Sequence, residues 1–261
     1  MDDVKLLHLE VGLGAATRRI AVRRQQGKTP GYFWLGGLKS DMRGTKAEAL
    51  ASHAALSGRA FVRFDYSGHG ESGGRFEAGT ISRWLEEALA VFEAHARGPQ
   101  IVVGSSMGGW IALLLARALA ARPASPASLA GLLLIAPAPD FTEELMWAKF
   151  SPAVQREIEE KGLWLRPSAY GEEPYPITRG LIEDGRRQLL LDQPIEVGCP
   201  VRILQGVEDP DVPWRHALKL VSCLARDDVV MTLVKDGDHR LSRPEDIERM
   251  IRIVDELAGE R

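Results

Sequence analysis

Apolar residues along the chain fall into short runs, separated by glycine-rich turns and by stretches with helical spacing. Residues 4–11 and 17–24 carry apolar and β-branched side chains in partial alternation, joined by Gly12-Leu13-Gly14. That pattern predicts a hairpin at a sheet edge. A short apolar run over 32–35 stops at Gly36-Gly37, as a third strand would. Residues 45–56 hold good helix formers ahead of Gly58, a C-terminal stop. A strand at 60–64 leads into the glycine-rich loop 67–74. Ile81, Trp84, Leu85, Ala88, Leu89 and Phe92 then lie at helical spacing before Gly98-Pro99.

Ile101-Val102-Val103 is a continuous apolar run, the signature of a strand buried on both faces. A helix is expected over 107–121 and another buried strand over 129–136. The regular pattern breaks from Pro137 to about Pro194, in a segment rich in Trp, Pro and Glu with short helical pieces at 143–150 and 152–160. It resumes with a strand at 201–205, a helix at 214–224, a strand at 229–234 and a helix at 244–257. Strands alternating with helices predict an α/β fold, a mostly parallel sheet covered on both faces. An irregular stretch of that length is too long for an ordinary loop. The expected organisation is therefore a core domain of residues 1–136 and 195–261, with a helical cap (lid) inserted at 137–194.

Composition changes this picture little. Of the 261 residues 45% are hydrophobic and 26% charged, ordinary for a globular chain that can bury a sizeable core. A formal charge of −3 gives no electrostatic case for a nucleic acid partner. Two cysteines, Cys199 and Cys223, make neither a disulfide framework nor a zinc site and are expected to pack as small hydrophobes. The apolar stretch at 110–121 is interrupted by Arg117 and too short to span a bilayer. The opening Met-Asp-Asp-Val-Lys shows no basic start followed by an apolar run, so a cytoplasmic location is the expectation.

The chemistry concentrates at three points. Gly104-Ser105-Ser106-Met107-Gly108 fits Gly-x-Ser-x-Gly and sits between a strong strand and a strong helix, the context that gives the motif meaning. A tight turn there lifts the central serine above the sheet's carboxyl edge, at a helix N-terminus that favours developing negative charge. Ser106 is the candidate nucleophile and Ser105 a turn residue. A serine hydroxyl needs a base within hydrogen-bond reach. His239, in the loop between the last strand and the last helix, stands where the histidine of such a site comes in chain order. The acid should follow the preceding strand, where Glu208, Asp209 and Asp211 are all available. Its task is to accept the Nδ1 proton of the imidazole.

Two backbone N–H groups should receive the oxyanion: that of Met107, after the nucleophile, and one from the turn 35–40, with Leu38 the candidate. Lys39 and Ser40 are placed at the entrance. His69 either faces the site or, as the favoured reading, supports the loop that follows the fourth strand; His8, His53, His95 and His216 read as surface or packing residues. No cluster of His, Asp and Glu shows metal-ligand spacing, and no cofactor is implied. Met146, Trp147, Phe150 and Trp164 could form an apolar wall for an acyl chain, or could pack the cap onto the body.

Together these features resemble the α/β-hydrolase superfamily over nearly the whole chain. Leu35-Gly36-Gly37-Leu38-Lys39-Ser40-Asp41-Met42, Arg63-Phe64-Asp65-Tyr66-Ser67-Gly68 and Ser105-Ser106-Met107-Gly108-Gly109-Trp110 look like the palmitoyl-protein thioesterase and acyl-glucuronide esterase branch and its bacterial relatives. The superfamily's acid stands in His-Gly-x-x-Asp-x-x-Val-Pro. Residues 205–213 match it at every fixed place but the first, where Gln205 replaces histidine, and this selects Asp209 over Asp211. The resemblance implies a serine esterase or thioesterase acting on a small-molecule or acyl substrate. A serine peptidase on the same scaffold is an alternative, though no size-filtering domain is evident. A non-catalytic binding protein is another, though it would be expected to show a broken triad.

Overall fold

Apolar alternation in the central strands becomes a sheet with two buried faces. The computed structural model describes residues 5–122, 125–167, 174–224 and 228–259. Val4, the expected start of the first strand, and residues 168–173 of the expected cap lie outside them. The chain begins with β1 (Lys5–Val11), β2 (Arg18–Gln25), β3 (Lys28–Leu35), α1 (Thr45–Ser57), β4 (Arg59–Phe64) and α2 (Ile81–His95). It continues through β5 (Gly98–Ser105), α3 (Met107–Ala120) and β6 (Ala127–Ile135). Next come α4 (Pro152–Lys161), β7 (Leu163–Arg166), β8 (Tyr175–Thr178) and α5 (Arg179–Arg186). The core closes with β9 (Val201–Gly206), α6 (Trp214–Cys223), β10 (Val229–Val234) and α7 (Pro244–Leu257).

Eight strands form one sheet in the order β1-β2-β4-β3-β5-β6-β9-β10. Pairing is antiparallel from β1 to β2 and from β2 to β4, and parallel from β4 through to β10. The period-2 rule divides the sheet's side chains. Phe33, Val102, Leu132 and Leu134 join a core shared with α2, α3 and α6. Tyr32, Trp34, Ile101, Val103, Leu133 and Ile135 join one shared with α1 and α7. α3 is buried from Met107 through Ala116, so its apolar character all round fits its central place. The α/β-hydrolase fold, with a mostly parallel sheet flanked by helices, is thus realised.

The structure departs from the sequence reading at two places. β3 begins at Lys28, four residues before the expected strand, and runs through Pro30 and Gly31. Its register against β4 shifts between Lys28 and Tyr32, and that irregularity accommodates residues that otherwise argue against a strand. The segment between β6 and β9 is also not wholly helical. The piece expected at 143–150 is a wide turn, Thr142–Met146, followed by a tight one, Trp147–Lys149. The antiparallel hairpin β7–β8 and helix α5 add to the expected α4.

Asp140 clips the two ends of this segment together. It is buried, with φ +57°, and its carboxylate accepts the N–H groups of Leu190 and Leu191 at 2.8–3.0 Å. Asp140→Ala would strand two buried donors and should cost about 2–4 kcal/mol, read by urea unfolding. Burial pushes this carboxyl up to about 6, against the pull of the two N–H groups. The folded chain then keeps the proton to higher pH than the unfolded chain, whose Asp titrates near ~3.9. Relative to Asp140→Asn, wild-type stability should therefore decline as pH rises from about 4 to about 6 and run parallel above. Parallel curves throughout would contradict this.

Candidate active site

The turn from β5 into α3 is built by what its glycines leave out. A Cβ on Gly108 would lie 2.0 Å from the Leu35 carbonyl oxygen, and one on Gly104 would lie 2.4 Å from the Gly108 oxygen. Only hydrogen fits at either place, so strand, helix and the end of β3 approach backbone to backbone. Ser106 sits between them at φ +55°, ψ −117°, a strained conformation for a residue with a side chain. Its N–H donates to Ile135 O at 2.9 Å, and its carbonyl accepts from Gly109 and Ala138. The neighbouring elements thus hold the strain in place.

His239 reaches this serine from the loop between β10 and α7. Its Nε2 is 3.1 Å from Ser106 Oγ, and its Nδ1 is 2.8 Å from Asp209 Oδ2. Asp209, completely buried at its side chain, follows β9. Its Oδ1 accepts the N–H groups of Asp211 and Val212 at 2.9 and 2.8 Å. Those bonds aim Oδ2 at the imidazole. Asp211 contributes its N–H to this arrangement and lines the cavity, while the hydrogen bond to Nδ1 is made by Asp209. Atoms of Asp209, Asp211 and His239 lie within 4.8 Å of one another, a spacing a metal ion could use. Within the set, His239 Nδ1 and Asp209 Oδ2 are hydrogen-bonded to each other at 2.8 Å.

Two supports of this geometry had weak sequence signals. Gln205 is fully buried and its amide donates to Asp209 Oδ2 at 3.2 Å and to Val212 O at 3.0 Å. Its place four residues before the acid was the available clue. Lys46, at the start of α1, donates to Arg240 O and lies 3.3 Å from Ser242 Oγ, so it ties α1 to the loop of His239. Burial lowers its ammonium to about 8, with Asp238 pulling the other way.

The turn after β3 lies beside the serine. A Cβ on Gly37 would be 3.4 Å from Ser106 Cβ, and Leu38 and Met107 both line the cavity above Ser106. Met107 opens α3, where the first N–H groups have no acceptor within the helix. The cavity holds about 770 Å³. Phe141, Leu145, Met146 and Val212 give it apolar wall; Lys39, Arg166, Tyr175 and Arg240 give it polar and charged wall. Of the four residues that could wall an acyl chain, Met146 lines this cavity. Trp147, Phe150 and Trp164 do not line it and pack against the main core, the other of the two alternatives. Trp147 stacks on the Arg186 guanidinium at 4.7 Å, while Phe150 and Trp164 meet edge to face at 5.2 Å.

Of the remaining histidines, His216 is buried and its Nε2 is 2.7 Å from Pro139 O, a packing role against the segment that follows β6. His53 pairs with Asp255 on α7. Cys199 and Cys223 are free thiols. Among the described residues, no helix is long and apolar enough to cross a membrane.

A strand–serine–helix turn, with a carboxylate and an imidazole converging on it from the loops after β9 and β10, defines the α/β-hydrolase class. The chain belongs to the α/β hydrolase family, whose profile matches residues 29–250. It is 40% identical over 239 residues to the mitochondrial palmitoyl-protein thioesterase ABHD10 of Mus musculus, covering 91% of this chain and 78% of the relative. A putative hydrolase from Agrobacterium vitis S4, known from its crystal structure, is 50% identical, with a TM-score of 0.95 and coverage of 97% and 98% of the two chains. The α/β hydrolase domain-containing protein 10 from mouse superposes with a TM-score of 0.84 at 37% identity, over 97% of this chain and 98% of its own.

Proposed function

We propose that this hydrolase cleaves carboxylic esters or acyl thioesters through Ser106, His239 and Asp209. The observation that carries the reading is the unbroken chain of contacts, Oγ to Nε2 at 3.1 Å and Nδ1 to carboxylate at 2.8 Å. Ser106 Oγ attacks the acyl carbonyl as His239 Nε2 takes its proton. Asp209 keeps Nδ1 protonated and stabilises the imidazolium. The Leu38 and Met107 N–H groups receive the oxyanion. His239 then gives its proton to the departing alcohol or thiol, and Ser106 is left acylated. Water, deprotonated by the same imidazole, adds to the acyl carbon; the bond to Ser106 Oγ then breaks, His239 returns the proton to Oγ, and the acid leaves.

Apolar wall from Phe141, Leu145 and Met146 supports an acyl chain as the group held, and the thioesterase names of the relatives agree with it. The test is a panel of p-nitrophenyl esters and acyl thioesters of increasing chain length, run beside dipeptide amides and followed by fluorophosphonate labelling. Turnover of esters or thioesters with label on Ser106 is expected. Failure of the reagent to label Ser106 would favour a binding protein, and cleavage of the amides alone a peptidase.

A further inference from the structure

We propose that His69 is a positioning residue that sets the oxyanion-binding turn through its hydrogen bond to the Lys39 amide. This rests on the reading of Leu38 and Met107 as oxyanion donors. The turn is not at rest by itself: Lys39 has φ +57°, left-handed for a residue with a side chain. Its own internal bond is long, Ser40 N–H to Gly37 O at 3.2 Å. The firmer tether comes from outside. Lys39 N–H donates to His69 Nε2 at 3.0 Å, across from the loop after β4.

That bond fixes the peptide plane between Leu38 and Lys39, and with it the direction in which the preceding amide, Leu38 N–H, can point. The imidazole is held in turn. Its Nδ1 lies 3.2 Å from Ser67 O, so Nδ1 carries the hydrogen and Nε2 presents the lone pair. Tyr66, Phe76 and Trp84 pack around the ring at centroid distances of 6.0, 5.3 and 5.4 Å, and it is only 5% exposed. Burial lowers the ring to about 4, which keeps the acceptor form at neutral pH. An apolar ring here would fill the same space and leave the turn's amide without its acceptor.

The experiment compares His69→Phe and His69→Leu, which remove the acceptor, with His69→Gln, whose Oε1 can accept from Lys39 while its amide donates to Ser67 O. Each is assayed for kcat and KM on a p-nitrophenyl ester and for affinity toward a trifluoromethyl ketone. That ketone takes up Ser106 Oγ as an oxyanion adduct, the proton passing to His239. Phe and Leu should lose about 10- to 100-fold in kcat with KM within about twofold, because a donor is misaimed rather than deleted. Ketone affinity should fall by the same factor, and Gln should recover to within about fivefold of wild type. A merely structural role would lower melting temperature without that parallel. Full kcat in either apolar variant, unchanged ketone affinity, or a Gln variant as impaired as Phe overturns the proposal. A wild-type enzyme that neither turns over nor labels at Ser106 overturns the function itself and this inference with it.

Discussion

Ser106→Ala should lower kcat on a p-nitrophenyl ester by roughly 10⁴- to 10⁶-fold and leave the thermal unfolding midpoint almost unmoved. The change removes one oxygen whose described partner is His239 Nε2 and whose backbone is already held by three main-chain hydrogen bonds. Nothing in the elbow must rearrange, since alanine meets the same φ penalty that serine does. The triad acts as a unit, so His239→Ala should cost a similar factor, and the double substitution should be no worse than either alone. Asp209→Asn should cost about 10⁴-fold, because an amide facing Nδ1 with its N–H would select the wrong tautomer of His239. A Ser106→Ala protein with wild-type turnover would remove the serine from the chemistry altogether.

The sequence carries the central sheet clearly, for a physical reason. Strands such as Ile101-Val102-Val103 and Leu132-Leu133-Leu134 are buried on both faces, so their apolar runs stand out. Ser106 and His239 were legible because chain order and flanking elements restrict them. Asp209 needed the family pattern, since Asp211 lies within two residues and both reach the same space. The segment between β6 and β9 resisted reading because its elements are short and locally contradictory. β8 has Pro176 inside a four-residue strand, and α5 carries Gly180 and Gly185 within eight residues. What stabilises them is packing, with Ile177, Leu181 and Ile182 reaching the main core, and packing leaves little local signature. The wall of the cavity was unreadable for a sharper reason. Met146 and Trp147 are adjacent, yet one lines the cavity and the other lies under Arg186, a difference that residue type does not announce.

Gly108→Ala should destabilise the protein by about 3 kcal/mol or more and cut kcat by at least ~100-fold. The new methyl would stand 2.0 Å from Leu35 O, 2.6 Å from Leu35 C and 2.7 Å from Gly36 O. None of these is the tip of a flexible side chain. To make room, either the end of β3 must lift or the first turn of α3 must slide. Leu35 is paired with Gly104 in the parallel ladder and is fully buried, so lifting β3 disturbs the sheet. Sliding α3 moves Met107, and lifting β3 moves Leu38; either displaces one of the two proposed oxyanion donors. Stability and turnover should therefore fall together. Gly180→Ala supplies the contrast, because the nearest atom to its added methyl is Thr178 Oγ1 at 3.9 Å. In that exposed first turn of α5 the same substitution should be neutral or add up to ~1 kcal/mol through helix propensity. Urea unfolding of the two variants side by side reads the difference. A Gly108→Ala protein as stable and as active as Gly180→Ala would show that the elbow does not depend on this backbone contact.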